Sequence, residues 1–538
     1  METKKVFHVF KALLLISPAF FLLYLFRFQL GQLPANVLEM YTGFMFLWWL
    51  AGLWGWNFPK PLLTNWQVTA LSVFLLAVTA STVHTVFVLE PEHVKVPLGI
   101  WKGWFIAPFL YYLMLSSSFR SRGDLMALIQ ASVGLMAMAA IVMITQFYSG
   151  IFSDVTATVD GRLVWPFLDP WTGLGASGNY PALLLSPFLA LGWIAMIKSN
   201  TRLERLALFL FVLILAIAVY LTRSYGAWLG VIMACFIVSF AVSSGKRRWV
   251  VVPLITALIL GGLYYNQRSS EKFQYAINFT PLQGQTSGSE RLNNWKVSWD
   301  LIRQTPIWGV GPGQFQRAFE SLAPLTLDRK ITRSEINHAL HPHNTLLMFW
   351  LSSGLFGLLT FILLILVWWF PLPRVWRALL TAPLLYLAAH GMIDVIYWKN
   401  DLAYSFWFFG ALMTIANNLG FVSAQVVPGI RKGTELGFPT ANLSLSIELD
   451  KEHGVYIVDV KVGKKRKRGL LYYGPRMTEG LPEGMVCEMW IFDHEGDLYG
   501  ESLNFKIGSF VREPMAFESE ELLKEQIKKD VLVARNKF

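Results

Sequence analysis

Two groups of residues in this sequence are of types and spacings that do chemistry. The first is spread over TRSYGAW (222–228), GSERLNNWKVSWDLIR (288–303), PIWGVGPGQF (306–315) and HPHNTL (341–346). Arg223 and Arg291 carry planar guanidinium forks that bind phosphate oxygens two at a time and stay charged. His343, with His341 two residues before it, is the side-chain type that takes a proton from a hydroxyl near neutral pH. Asn344 follows at the mouth of an apolar run, where it suits a helix N-cap. The second group is the string GIRKGTELGFPTANL (429–443). There Gly429, Gly433 and Gly437 permit close approach of backbone to an anion. Thr440 and Asn442 add a hydroxyl and an amide oxygen at a rigid turn, both hard ligands suited to Mg²⁺.

The elements that must position these groups follow from composition. Of 538 residues, 54% are hydrophobic and only 15% charged, against about 25% charged in soluble proteins. The 22 Trp and 40 Phe exclude disorder and collagen. With two cysteines, Cys235 in an apolar run and Cys487 in a polar region, a disulfide scaffold is excluded too. The chain is a polytopic membrane protein. Its net charge of +11 is not a nucleic-acid signal: from residue 421 onward 17 basic residues meet 18 acidic ones, so the excess lies upstream. Only Trp490 lies beyond residue 421, so the composition break there divides the chain into 1–420 and 421–538.

Apolar stretches of about 17–25 residues give twelve expected spanning helices, at 8–27, 37–54, 67–89, 97–116, 125–148, 180–197, 205–222, 227–243, 249–265, 345–370, 378–397 and 402–420. The first is read as a retained span rather than a signal peptide, because no small-residue cleavage site follows it. With a cytoplasmic N-terminus, the inside loops hold Lys60; Arg120 and Arg122; Lys198, Arg202 and Arg205; Lys246, Arg247 and Arg248; Arg374 and Arg377. That is the positive-inside pattern. It puts both termini in the cytosol and the loop 266–344, between spans nine and ten, outside.

The loop is the one long soluble excursion of the membrane half, and long loops are usually functional. ERLNNWKVSWDLIR reads as an amphipathic helix starting near Ser289, with Leu292, Trp295, Trp299 and Ile302 on its apolar face. PIWGVGPGQF is a Gly/Pro turn cluster. The plainer readings stay open: Arg223 as a snorkelling interfacial residue, Arg291 on a solvated helix face with Glu290, and His343 as a helix-entry residue. Arg162, in VDGRLVWPFLDPW of the shorter external loop 150–178, is undecided.

An Arg opening a Trp-containing helix, P-x-W-G-x-G-x-G-x-F, then H-x-H-N-T-L before a glycine-bearing span resemble the O-antigen ligase and polymerase superfamily. TRSYGAW and GNYPALLLSP (178–187) resemble further elements of that family, and the similarity covers residues 1–420. The resemblance implies a glycosyltransferase of the bacterial inner membrane with a periplasmic catalytic loop. Its donor would be a glycan on undecaprenyl pyrophosphate and its acceptor the lipid A–core oligosaccharide. Arg223 and Arg291 would hold the pyrophosphate and His343, or His341 as substitute, would be the general base, in an inverting reaction needing no metal.

In the tail, GVYIVDVKV (454–462), GLLYY (469–473) and MVCEMWIF (485–492) alternate as strands do. KKRKR (464–468) suits a solvated hairpin turn, and ESEELLKEQIKKDVLVAR (518–535) a closing helix with Ser519 as N-cap. A small β-barrel plus helix is expected. LGFPTAN, GVY (454–456), CEMWIFDHEGDLYG (487–500) and VREPMAFESEELLKEQIKKD (511–530) resemble riboflavin kinase over essentially the whole tail. That resemblance implies Mg²⁺ held by Thr440 and Asn442 with the ATP phosphates, a nucleotide loop shaped by Gly429, Gly433 and Gly437, and Glu488 as general base converting riboflavin to FMN.

The expectation is therefore a glycan ligase fused to a flavokinase-like domain, with no nucleic-acid partner. The alternative is an O-antigen polymerase or protein O-oligosaccharyltransferase whose tail only senses flavin or nucleotide. A transporter is disfavoured because the spans show few buried charges apart from Asp394 and His390, and no internal repeat.

Overall fold

The computed structural model describes residues 2–30, 33–56, 58–89, 93–149, 158–159, 162–163, 179–199, 201–270, 287–419, 421–428, 437–445, 449, 451–463, 465–475, 485–494 and 496–536. Two compact units emerge: one of residues 1–52, 63–119 and 123–417, the other of 53–62, 120–122 and 418–538.

The first unit is helical. α1 (Glu2–Ile16) runs into a 3₁₀ segment, Ser17–Leu25, and a short hairpin of β1 (Arg27–Leu30) and β2 (Leu33–Asn36) follows. Next come α2 (Val37–Gly55), α3 (Asn65–Val88), α4 (Lys95–Ile100) continued through a π-helical turn into α5 (Ala107–Ser118), and α6 (Arg122–Ser149). A two-stranded pair, β3 (Thr158–Val159) and β4 (Arg162–Leu163), precedes α7 (Asn179–Lys198), α8 (Arg202–Leu221), α9 (Tyr225–Val242) and α10 (Val252–Gln267). The segment between α10 and the next long apolar helix adds α11 (Ser287–Gln304), α12 (Phe315–Thr326) and α13 (Arg333–His338) before α14 (Thr345–Trp369), α15 (Arg374–Gly391) and α16 (Asn400–Asn417). Starts are set by side chains as well as hydropathy. Thr64 with Gln67, and Thr201 with Glu204, form capping boxes at α3 and α8.

Among the described residues, ten helices are long and apolar enough to cross a membrane, against the twelve expected. The other two expected spans are helical, α15 and α16, but less apolar. Polar residues in α16 are tolerated because it sits inside the bundle: residues 400–416 are all buried. Two of its hydroxyls are paired, Tyr404 with Thr42 at 2.7 Å and Thr414 with Tyr112 at 2.8 Å.

One span is broken by the loop that precedes it. Within α14, Gly354 has φ 68° and ψ −177°. The break frees the carbonyl of Leu351 and the amide of Leu355, which inside a membrane protein must find other partners. PIWGVGPG supplies them. Val310 and Gly311 donate to the Leu351 carbonyl at 2.7 and 3.0 Å, and Leu355 donates to Pro306 at 3.2 Å. A Cβ at Gly354 would lie 1.8 Å from the Ile307 carbonyl oxygen, and one at Gly309 2.2 Å from that of Leu351. Both positions therefore require glycine. The turn cluster is a strap threaded into a helix break.

The second unit is a closed six-stranded barrel in the order β10-β5-β6-β9-β8-β7. Its strands are β5 (Phe421–Val427), β6 (Ala441–Leu445), β7 (Gly454–Val462), β8 (Lys465–Pro475), β9 (Met485–Ile491) and β10 (Ser502–Arg512). Alternate residues such as Val458, Leu471, Met489 and Phe505 fill the interior. α17 (Glu520–Asn536) starts where Ser519 accepts from Leu522 at 3.3 Å and packs Ala534 and Val531 against the outer face. The Arg512–Asp530 ion pair, 2.9 Å, anchors it. Most of KKRKR is strand rather than turn: Lys465–Arg468 pair with Val462–Asp459 across β7 and β8, and Gly463, at φ 57°, lies in the turn. Cys235 and Cys487 are both free thiols.

Candidate active sites

The first site is built on the entry to α14. Asn344 is the N-cap, its side-chain oxygen accepting from Leu347 at 3.0 Å. Its amide donates to the Met392 carbonyl at 3.0 Å, and the Thr345 hydroxyl donates to the Asp394 carbonyl at 3.1 Å. These bonds stitch the helix start to the 392–399 connector and bring Asp394 to His343, whose Nδ1 lies 3.4 Å from the carboxylate. Asp394 is buried, and its oxygens also accept from the Val395 amide at 2.9 Å and the Asn179 side chain at 3.1 Å. With Nδ1 facing the carboxylate, Nε2 is left as the basic nitrogen. His343 has φ 51°, an unusual backbone for a non-glycine residue, of the strained kind that collects at functional sites.

His341 lies against it, ring centroids 4.3 Å apart, and its Nδ1 accepts from the His343 amide at 3.4 Å. Burial pushes the His341 imidazole down to about 3, helped by the charges of His343, Lys399 and Arg291 and opposed by Asp394. Ligand atoms of His341, His343 and Asp394 all lie within 4.8 Å of one another, a spacing that could hold a metal ion. Arg291 and Lys399 add positive charge to the same place, which opposes a cation and favours an anion.

Arg291 arrives on α11, which docks on the histidine strand through Asn294, its amide 3.5 Å from the His341 carbonyl. Glu290 turns instead to the exposed His338, 3.4 Å away. The buried face of α11 is Asn294, Val297, Ser298, Leu301 and Ile302, whereas Leu292 and Trp299 of the expected apolar face are exposed. The difference arises because the polar Asn294 and Ser298 bond locally, Ser298 to Asn294 at 2.6 Å, and so can be buried.

Arg223 occupies the α8–α9 turn at φ 49°. Three residues on, Gly226 lies against α15, where a Cβ would meet Ile393 at 2.4 Å and His390 at 3.2 Å. The turn therefore abuts the helix that leads into Asp394. His341, His343 and Asn344 are brought together directly, and the charge of Arg291 reaches His341. Asp394 and Asn179 complete the site and were not among the expected site residues. The available signal was an ionisable residue within an apolar stretch, which reads as functional by default. The Arg162 side chain and most of the 150–178 loop lie outside the described residues.

The second site is on the barrel. Asn442 and Glu488 are register partners on β6 and β9, and Tyr472 of β8 faces Glu488 from the other side. Phe438 packs on Trp490 of β9, centroids 5.0 Å apart, which seats Pro439–Thr440 at the same edge. Burial first, and then Glu488, raise the Tyr472 hydroxyl above its ordinary value, against Arg512. Gly437 has φ 85° with nothing near its missing side chain. The Thr440 hydroxyl just before β6, the Asn442 amide on β6 and the Glu488 carboxylate on β9 are hard-oxygen donors of the kind that fits Mg²⁺ with phosphates. Gly429 and Gly433 lie outside the described residues.

Residues 209–362 match the O-antigen ligase family model, a stretch that includes Arg223, Arg291, His341 and His343. Residues 418–538 match the riboflavin kinase family model. The tail is 35% identical over 117 residues to the RNA-binding riboflavin kinase RibR of Bacillus subtilis (strain 168), covering 22% of this chain and 50% of that protein. It is also 35% identical over 119 residues to the bifunctional riboflavin kinase/FMN adenylyltransferase of Escherichia coli (strain K12), covering 22% of this chain and 37% of that one. The chain thus spans half or less of these curated relatives. A solved macrolide-efflux protein from Streptococcus pneumoniae is 32% identical over 22% of this chain and 40% of that chain, at TM-score 0.21; the likeness is too slight to argue from.

Proposed function

We propose that this chain, which joins a segment of the O-antigen ligase family to a riboflavin kinase domain, is a two-site enzyme of the bacterial inner membrane. At the periplasmic face it moves a glycan from undecaprenyl pyrophosphate to the lipid A–core oligosaccharide. His343 Nε2 takes the proton of the acceptor hydroxyl as that oxygen attacks the anomeric carbon. The bond from that carbon to the pyrophosphate oxygen breaks on the opposite face, inverting the centre. Asp394 holds Nδ1–H and stabilises the imidazolium that forms, while Arg291 and Arg223 take up the charge of the leaving pyrophosphate. Neutral His341 supports the loop without competing for the proton. With arginines compensating the charge, the step calls for no metal.

In the cytosol, the tail phosphorylates the 5′-hydroxyl of riboflavin. Bound Mg²⁺ neutralises and orients the ATP phosphates. Thr440 and Asn442 would hold it, and Glu488 accepts the hydroxyl proton.

The observation that carries the transferase reading is the contact of His343 with the buried, doubly anchored Asp394. A lipopolysaccharide gel tests it, using a strain lacking the gene complemented with wild type or with His343→Ala. Cores bare of polymer, filled in only by wild type, are expected. Cores each carrying a single repeat would instead assign the membrane half to polymerisation, and normal ladders with His343→Ala would remove His343 as the base.

A further inference from the structure

A cavity of about 290 Å³ lies in the helical unit outside the histidine cluster, lined among others by Arg27, Asn36, Glu39, Lys95, Trp104 and Asn400. Its position follows from connectivity. The β1–β2 hairpin carries Arg27 and Asn36, Lys95 opens α4, and Asn400 opens α16. Asn400 ends the connector that bears Asp394. Six residues separate the two, so they are at most about 20 Å apart. Trp104 is bonded to that connector as well: the Tyr397 hydroxyl donates to its carbonyl at 2.6 Å, and its ring meets Trp398 edge-on at 5.4 Å.

The floor of the cavity is organised. The Asn400 side chain accepts from the Trp104 indole at 3.0 Å and donates to Glu39 at 2.9 Å. Asn36 accepts from the Glu39 amide at 2.9 Å. Glu39 is ion-paired with Lys102 at 2.8 Å, which cancels its charge. The rim carries the exposed Arg27 and Lys95, so the mouth of the cavity is net positive, while Pro34, Ala35, Val96 and Ile100 make most of its wall apolar around the Asn36, Glu39, Asn400 and Trp104 groups. Amides and carboxylates bond sugar hydroxyls, an aromatic ring stacks on the apolar face of a sugar, and paired cations select a phosphate or carboxylate.

Resting on the transferase reading, we infer that this cavity seats an anionic saccharide of the acceptor, holding its phosphate between Arg27 and Lys95 while a neighbouring sugar hydroxyl extends to His343. The donor pyrophosphate already has Arg291 and Arg223, so the second cationic pair serves the other substrate.

The test uses the full chain in phosphatidylcholine nanodiscs, purified lipid A–core as acceptor, and the rim variants Arg27→Ala and Lys95→Ala. Each is expected to raise the acceptor KM by about tenfold or more, with donor KM and kcat unchanged. Phosphatase-treated acceptor should show the raised KM with wild type, and the variants should add nothing further. Unchanged acceptor KM, a raised donor KM, or an equal variant effect on the phosphatase-treated acceptor would overturn the assignment. Adding phosphatidylglycerol to the discs separates the other source of phosphate. A competitive rise in acceptor KM that Arg27→Ala abolishes would make the occupant a lipid headgroup and likewise overturn it. His343→Ala run alongside keeps the two levels apart: retained transfer there sinks the transferase reading, whereas its loss beside unaffected rim variants sinks only the cavity.

Discussion

At the scale of single residues, the membrane site is a histidine oriented by a carboxylate that sequence order places 51 positions away. Replacing His343 by Ala is expected to lower transfer by about 10²–10⁴-fold, the usual contribution of general-base catalysis. Asp394→Asn should lower kcat by a smaller factor with donor KM kept, since the amide still fits but no longer stabilises the imidazolium. Steady-state kinetics distinguish this from collapse of the site, in which KM would rise as well. His341 gives a pH prediction. Folded, its imidazole is held down to about 3, whereas in the unfolded chain it titrates near 6.5. Between those values the unfolded state binds the extra proton, so this contribution to stability is complete above about 6.5 and declines as pH falls toward 3. The unfolding midpoint of the detergent-solubilised protein is expected to drop from pH 7.5 to 5, and His341→Asn to flatten the slope; a pH-independent wild-type midpoint over that range would refute it. Arg223, Arg291 and His343 stand out in the sequence because their types and local strings suit the proposed chemistry. Asp394 was visible only as a buried charge, since no local motif ties it to a histidine on another helix.

At the scale of elements, the strap determines how α11 is held against α14. The break at Gly354 was not legible: HPHNTLLMFWLSSGLFG reads as one apolar helix, and the groups that accept the break lie in a turn more than 40 residues earlier. The GPG turn was recognised as a turn, but its partner was not, because complementary backbone bonds leave no trace in hydropathy. Gly354→Ala would force an L-residue to φ 68° and drive its methyl into the Ile307 carbonyl. The left-handed backbone alone costs about 1–3 kcal/mol, and the clash adds to it. The unfolding midpoint should fall by several degrees, and transfer should fall with it as α11 loses its seat. Gly261→Ala in α10 is the comparison, since nothing lies within 4 Å of its added methyl. That variant should leave the midpoint unchanged or raise it. Equal midpoints for the two variants would contradict the strap. Spans were read to within a few residues where helices are uniformly apolar. α16, expected as a span over 402–420, begins earlier and falls short in apolarity, because a helix buried inside the bundle can carry Asn400 and Asp401.

At the scale of the whole molecule, one chain carries two sites whose chemistry shares phosphate handling and nothing else. On the proposed reading the membrane site compensates the charge of a leaving pyrophosphate with arginines, and the barrel presents oxygen ligands suited to a divalent cation. Charge and tryptophan content change near residue 421 because a bilayer and water select different residues. The barrel strands were plain for the same kind of reason, their interior alternating with their surface. Closure of the barrel was less so, since it depends on pairing β10 with both β5 and β7. The most direct measurement is a cross-assay on the purified full-length protein, following glycan transfer and FMN formation in the same preparations of wild type, His343→Ala and Asn442→Ala. His343→Ala should lose transfer and keep FMN formation, and Asn442→Ala should do the reverse, with EDTA stopping only the second activity. Loss of transfer on adding EDTA, or glycan transfer surviving in His343→Ala, would contradict two independent sites with a metal-free histidine base in the membrane.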